Sequence, residues 1–186
     1  MIAGHFGLAA AVKARRTDVP LWSLMLATQW LDVLFVPLVI AGVEGLKPVP
    51  GLPEGYGRVI IHADYTHSLL GALVLAALYG LIFGRRLGRG LVLAGVVFSH
   101  WLLDLLVHRA DMPLLPGDAG HLPRLGFGLW RWPAVTAAAE LVLVVAGSLL
   151  YWQAAAKVAP RARARLVGLL CLVSGLLVLG LNLAGL

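Results

Sequence analysis

The sequence predicts an all-α protein, a polytopic transmembrane helix bundle of about five spans preceded by a short N-terminal interfacial or re-entrant helix, in one integral membrane domain covering residues 1–186. Three observations predict it. Hydrophobic residues make up 60% of the chain and charged residues 13%, against about 25% charged in soluble domains. The apolar residues fall in long runs, separated by basic clusters and Pro/Gly-rich stretches. At about 20 apolar residues per span, the 186 residues leave no room for a separate soluble domain.

Residues 1–12 are apolar and are followed by Lys13, Arg15 and Arg16, the reverse of a cleaved signal, in which positive charge comes first. The segment is too short to span, so it lies in the interface or dips in as a half-helix carrying His5. The first span is expected over 21–43, with Pro20 in front of it and Asp32 near its middle. Residues 44–58 hold Pro48, Pro50 and Pro53 and read as loop. A second span over 59–83 opens on a polar head containing His62, Asp64 and His67. The third, over 91–107, contains His100 and Asp104 and leads into His108. A long loop with Trp130 and Trp132 at its end precedes the last two spans, over 133–156 and 166–186. Basic runs at 13–16, 85–89 and 157–165 fall on one side of this arrangement, which places the N-terminus in the cytoplasm.

The formal charge of +6 comes mostly from those runs, so it reads as a topology signal and not as a nucleic-acid surface. The single cysteine, Cys171, excludes an intrachain disulfide and any cysteine-rich metal site.

The polar residues inside the apolar runs carry the chemistry. His100, Asp104 and His108 are spaced by four and lie along one helix face. A charge near the bilayer centre costs about 2.5–3.5 kcal/mol on insertion scales, so such residues usually serve a metal, a relay or a pathway. Counted at ~1.5 Å per residue, His67 and His100 lie at nearly equal depth. With Asp32 they enclose a pocket open to the outer side. Imidazole with carboxylate and no thiolate suits a divalent ion, zinc foremost, with manganese or iron as alternatives. Arg109, Arg124 and Arg131 in the outer loop match an anionic head group.

The chain resembles the bacterial predicted membrane-bound metal-dependent hydrolases in Gly4-His5-Phe6, Leu31-Asp32-Val33-Leu34-Phe35, Thr66-His67-Ser68-Leu69-Leu70, Ser99-His100-Trp101-Leu102-Leu103-Asp104 and His108-Arg109-Ala110-Asp111-Met112-Pro113. More distantly, it is similar to zinc-dependent phospholipases C in the order of its ligands. These resemblances imply metal ligands at His5, Asp32, His67, His100 and Asp104 and a place in the bacterial inner membrane, where the basic runs make the site face outward. The expected activity is hydrolysis of a lipid or lipid-linked phosphoester, with His62, Asp64 or His108 as general acid or base. The alternative is a proton or divalent-ion transporter using the same cluster. The partners expected are membrane lipid and a lipid or small-molecule substrate; the oligomeric state is left open.

Overall fold

The computed structural model describes residues 1–52 and 56–185; Pro53, counted above with the loop, and Leu186, the end of the fifth expected span, lie outside them. In chain order the elements are α1 (Ile2–Arg15), α2 (Leu21–Thr28), α3 (Trp30–Ile40), β1 (Gly45–Pro48), β2 (Val59–His62), α4 (Leu69–Phe83), α5 (Leu87–Val107), α6 (Pro133–Ala156) and α7 (Arg161–Leu183). Short 3-10 turns lie at Pro116–His121 and Leu129–Arg131 in the loop before α6.

The fold is mostly helical, but the five expected spans are not all present. Among the described residues α5, α6 and α7 are long and apolar enough to cross a membrane, and the pair α2–α3 adds a fourth if its 49° bend is counted as a broken span. Helix α4 has 15 residues, about 22 Å of rise against roughly 30 Å of hydrocarbon. It falls short because residues 59–68 are not helical. Val59, Ile60 and Ile61 are β-branched, and they pair antiparallel with Lys47 and its neighbours in a small hairpin. Ser68 then caps α4, its hydroxyl accepting from Gly71 N at 3.1 Å.

Helix α1 is packed into the bundle: Ala3, His5, Ala9 and Ala10 are buried, and it packs chiefly on α6, with α2 and α7 beside it. Glycines make this approach possible. A Cβ at Gly147 of α6 would sit 2.0 Å from the Gly7 carbonyl oxygen. Helices α4 and α5 meet in the same way, a Cβ at Gly80 falling 2.5 Å from the Gly90 oxygen. Tyr79 closes the core between α4 and α2, its hydroxyl donating to Ser23 O at 2.8 Å.

At one end of the bundle Asp18 accepts from Arg16 at 3.0 Å and from Arg89 at 3.3 Å. This clasp brings two of the three basic runs together. At the other end, the loop after α5 covers the start of α4, with Leu69 N donating to Pro113 O and Leu70 N to Leu114 O.

Candidate metal centre

Helix α2 stops at Thr28, and the chain turns through Gln29 before α3 begins. The break leaves the Thr28 carbonyl available to a side chain, and His100 Nδ1 lies 2.6 Å from it. A carbonyl only accepts, so His100 carries a proton on Nδ1 and turns Nε2 inward, the nitrogen that a neutral ring offers to a metal.

His67 is held by the same logic one step longer. Glu44, buried at the end of the first apolar run, accepts from Tyr65 N and Thr66 N, both at 2.8 Å, and from Thr66 Oγ1 at 2.9 Å. The only hydroxyl proton of Thr66 is thus committed to Glu44. Thr66 Oγ1 accepts from His67 Nδ1 at 2.9 Å, and His67 Nε2 also faces inward. His108 is tied in turn by Nδ1 to Asp111 Oδ1 at 2.9 Å.

These inward nitrogens converge. His67 Nε2 and His100 Nε2 are 3.3 Å apart, and Asp32 Oδ1 lies 3.4 Å from the first and 3.6 Å from the second. Asp104 Oδ2 is 3.0 Å from His100 Nε2, 3.6 Å from His108 Nε2 and 3.8 Å from His67 Nε2, while Asp104 Oδ1 is 3.2 Å from His5 Nε2. Two trios, His5–His100–Asp104 and Asp32–His67–His100, each place their ligand atoms within 4.8 Å of one another.

Two carboxylates gathered around the same imidazole nitrogens repel unless something positive, a metal ion or a ring proton, lies between them, and the N-terminal ammonium of Met1 stands 3.7 Å from Asp104 Oδ1. The side chain of Asp104 is 5% exposed, and a buried carboxylate left unpaired costs several kcal/mol. The spacing fits a metal ion. Ligand atoms at the usual ~2.0–2.1 Å around a tetrahedral zinc are about 3.3–3.4 Å from one another, close to the separations within the Asp32–His67–His100 trio. The buried His/Asp group can hold a metal ion, with Thr28, Thr66–Glu44 and Asp111 as the outer partners that orient its histidines.

His5 enters this group from α1. Its ring stacks on His100 with centroids 4.0 Å apart. Its Nδ1, unlike that of the other three histidines, is buried with no hydrogen-bond partner. The position of the helix is set by Glu140, fully buried on α6, which accepts from Gly4 N at 3.0 Å and from the Tyr56 hydroxyl. Burial, and then the neighbouring Glu140, push the Tyr56 phenol well above its ordinary range, so it remains a donor.

A cavity of about 740 Å³ opens over the cluster, lined by Asp32, His67, Asp104 and His108 and, from the hairpin, by Lys47, Tyr56 and Arg58. Trp130 of the long loop also lines it, its ring 4.5 Å from His108.

Of the eight residues singled out as ligands or acid–base groups, six come together: His5, Asp32, His67, His100, Asp104 and His108. His62 and Asp64 do not. His62 ends β2 opposite Gly45, and Asp64 pairs with Arg124 at 3.0 Å; neither lines the cavity.

The three arginines also lie outside the cavity lining. Arg109 donates to Gly57 O at 2.7 Å, Arg124 also bonds Asp118 at 3.0 Å, and Arg131 is exposed. Glu44, Thr66, Thr28 and Glu140 were not foreseen in these roles. A signal existed for Thr66, which directly precedes a candidate ligand, but none for a backbone carbonyl freed by a helix break. Searches against family models, curated proteins and solved structures return no match to this chain.

Proposed function

We propose that the protein is a membrane-embedded, metal-dependent hydrolase acting on a lipid or lipid-linked phosphoester. In this reading it sits in a bacterial inner membrane, N-terminus in the cytoplasm and cavity facing outward. The observation that carries the metal centre is the convergence of His67 Nε2 and His100 Nε2, each ring held through its Nδ1 by an outer partner, at 3.3 Å and beside two carboxylates. Asp32, His67, His100 and Asp104, joined by His5, hold the ion, zinc being the best match to nitrogen and oxygen donors at this spacing. When bound, such an ion supplies a water nucleophile near neutral pH and polarises a phosphoryl oxygen.

The residues of the chain supply the rest. His108 faces the cavity with Asp111 behind it, an arrangement that holds the imidazole in one tautomer and stabilises its charged form, as a general acid for a leaving alkoxide requires. Trp130 and the hairpin cover the site and limit bulk water around it.

A transport pathway would need a polar route onward from the cluster. The helices beside it instead contribute Leu24, Ala27, Leu31, Val96 and Val97 to an apolar core, which favours a closed-ended site.

The test is elemental analysis of the purified protein in detergent after reloading with zinc, manganese or iron(II), beside a His100→Ala, Asp104→Ala double variant, with release of phosphate or head group from phospholipids as the activity. Stoichiometric metal and activity, both lost in the variant, are expected. A reloaded wild-type protein without metal would overturn the reading.

A further inference from the structure

A second cavity lies at the end of the bundle away from the cluster. The end of α4, the turn after it and the start of α5 form a groove of about 530 Å³, and His100 lies about 20 Å further along α5 than Leu87. The floor of the groove is bare backbone. Gly80, Gly84 and Gly90 meet with no side chain between them, and a Cβ at Gly84 would stand 2.3 Å from Gly80 O and 2.4 Å from Gly90 Cα. Its walls are exposed leucines, Leu81 at 79%, Leu87 at 80% and Leu91 at 64%. Arg85 and Arg86 complete the lining.

The charge at this end is unbalanced. Asp18, the acid beside the first basic run, is taken by Arg16 and Arg89, and the runs 85–89 and 157–165 contain no acid. Among the described residues, Arg85 and Arg86 have no side-chain hydrogen bond or ion pair. Two neighbouring guanidinium groups left so repel each other, and each presents a fork of donors that matches phosphate oxygens. The 21 residues of α5 rise about 31 Å, roughly the hydrocarbon thickness, so its first residues lie at the membrane interface. A ligand here meets two cations at the surface and leucine beneath them. A soluble anion or an acidic peptide would use the charges alone; an amphiphile uses both.

We propose that this groove binds an anionic diacyl phospholipid of the adjoining leaflet, its phosphate between Arg85 and Arg86 and an acyl chain along Leu81, Leu87 and Leu91. This lipid is a bound partner and not a substrate: the groove lies far from the His/Asp cluster, and none of its described lining residues is a histidine or a carboxylate. The site is independent of the metal centre and of the hydrolase reading.

Native mass spectrometry of the delipidated protein in detergent tests it, with dioleoyl phosphatidylglycerol, dioleoyl phosphatidylcholine and inorganic phosphate as probes. Expected is retention of phosphatidylglycerol at least tenfold above phosphatidylcholine. An Arg85→Gln, Arg86→Gln double variant should lose that preference, while Arg161→Gln, Arg163→Gln, which removes the same charge from the start of α7, should keep it. Ala77→Phe, which puts a ring into the groove from an exposed position, should lower phosphatidylglycerol retention with no change of charge. The His100→Ala, Asp104→Ala double variant should retain the lipid as the wild type does. A preference unchanged in Arg85→Gln, Arg86→Gln, or reduced equally in Arg161→Gln, Arg163→Gln, would overturn the proposal by showing attraction to overall charge. Loss of the lipid in the His100→Ala, Asp104→Ala variant would overturn it by placing the lipid at the cluster. Undiminished retention in Ala77→Phe, or displacement of the lipid by inorganic phosphate at equal concentration, would overturn it by showing that the groove holds no chain.

Discussion

A methyl group on α6, remote from the cluster in sequence, should empty the metal centre of one ligand. Helices α1 and α6 cross backbone to backbone at Gly7 and Gly147. A Cβ added at Gly147 would lie 2.0 Å from Gly7 O, 2.7 Å from Gly7 C and 3.0 Å from Gly7 Cα. No flexible side chain stands there to give way, so the helices must part by about 1.4 Å to restore ordinary contact. His5 is two residues from Gly7 on the same short helix and moves with it. Metal ligands tolerate about 0.2 Å. Gly147→Ala should therefore detach His5, whose Nε2 now stands 3.2 Å from Asp104 Oδ1, and lower metal affinity at least tenfold, the lower end of what disturbing a ligand's support costs.

The assay is competition against a chromophoric chelator in detergent, with two controls. Gly95→Ala lies on α5, the helix that carries His100 and Asp104, but its Cβ meets nothing within 4 Å; it should leave affinity unchanged and favour the helix by roughly 1 kcal/mol. In a double-mutant cycle, Gly147→Ala should add little to His5→Ala, because both remove the same ligand. Wild-type affinity in Gly147→Ala, or fully additive losses in the cycle, would refute the reasoning.

Two further substitutions probe the outer partners. Glu44→Gln presents an amide to Thr66 Oγ1 in place of a carboxylate oxygen, which turns the hydroxyl proton toward His67 Nδ1 and forces the His67 proton onto Nε2; metal affinity measured by the same competition should fall about 10- to 100-fold, while Thr66→Ser stays near wild type. Tyr56→Phe removes a donor from buried Glu140 and should destabilise the protein by about 1–3 kcal/mol in a thermal or denaturant melt. Because the folded protein raises the Tyr56 pKa, by burial first and Glu140 second, the stabilisation is fully present below the ordinary phenol value of about 10 and fades only in stronger alkali. The gap between wild type and Tyr56→Phe should then be flat from about pH 6 to 9.

What the sequence made legible follows from periodicity. His100, Asp104 and His108 repeat at four on a helix that does form, and that repeat alone put them on one face. His67 was legible as a polar residue at the depth of His100, and Asp32 as a charge near the middle of the first apolar run. The hairpin was not, because Val59-Ile60-Ile61 is a short apolar run whose composition fits a buried helix segment as well as a strand. That misreading hid the wall the hairpin gives the cavity. Lys47 looked like a loop charge among prolines, and only the Pro48–Val59 register sets it in a strand beside the cavity.

The loop arginines lie outside the cavity lining for a different reason, and it bears on how the site is built. Arg124 has Asp64 and Asp118 within 3.0 Å, and Arg109 is spent on the carbonyls of Gly57 and Val59. These two cations fasten the long loop and the hairpin to the rest of the protein, Arg124 through carboxylates that balance its charge and Arg109 through carbonyls that occupy its donors. Inside the cluster the opposite holds. Thr28, Thr66 with Glu44, and Asp111 each take up an outer N–H of a histidine, and the effect is to turn the Nε2 atoms of His100, His67 and His108 together toward one centre. Whether a charged residue fastens the fold or serves a ligand therefore depends on which of its atoms the fold leaves unsatisfied. That property is set by tertiary partners far apart in sequence, such as Glu44 and His67 or Thr28 and His100, and no spacing rule along the chain encodes it.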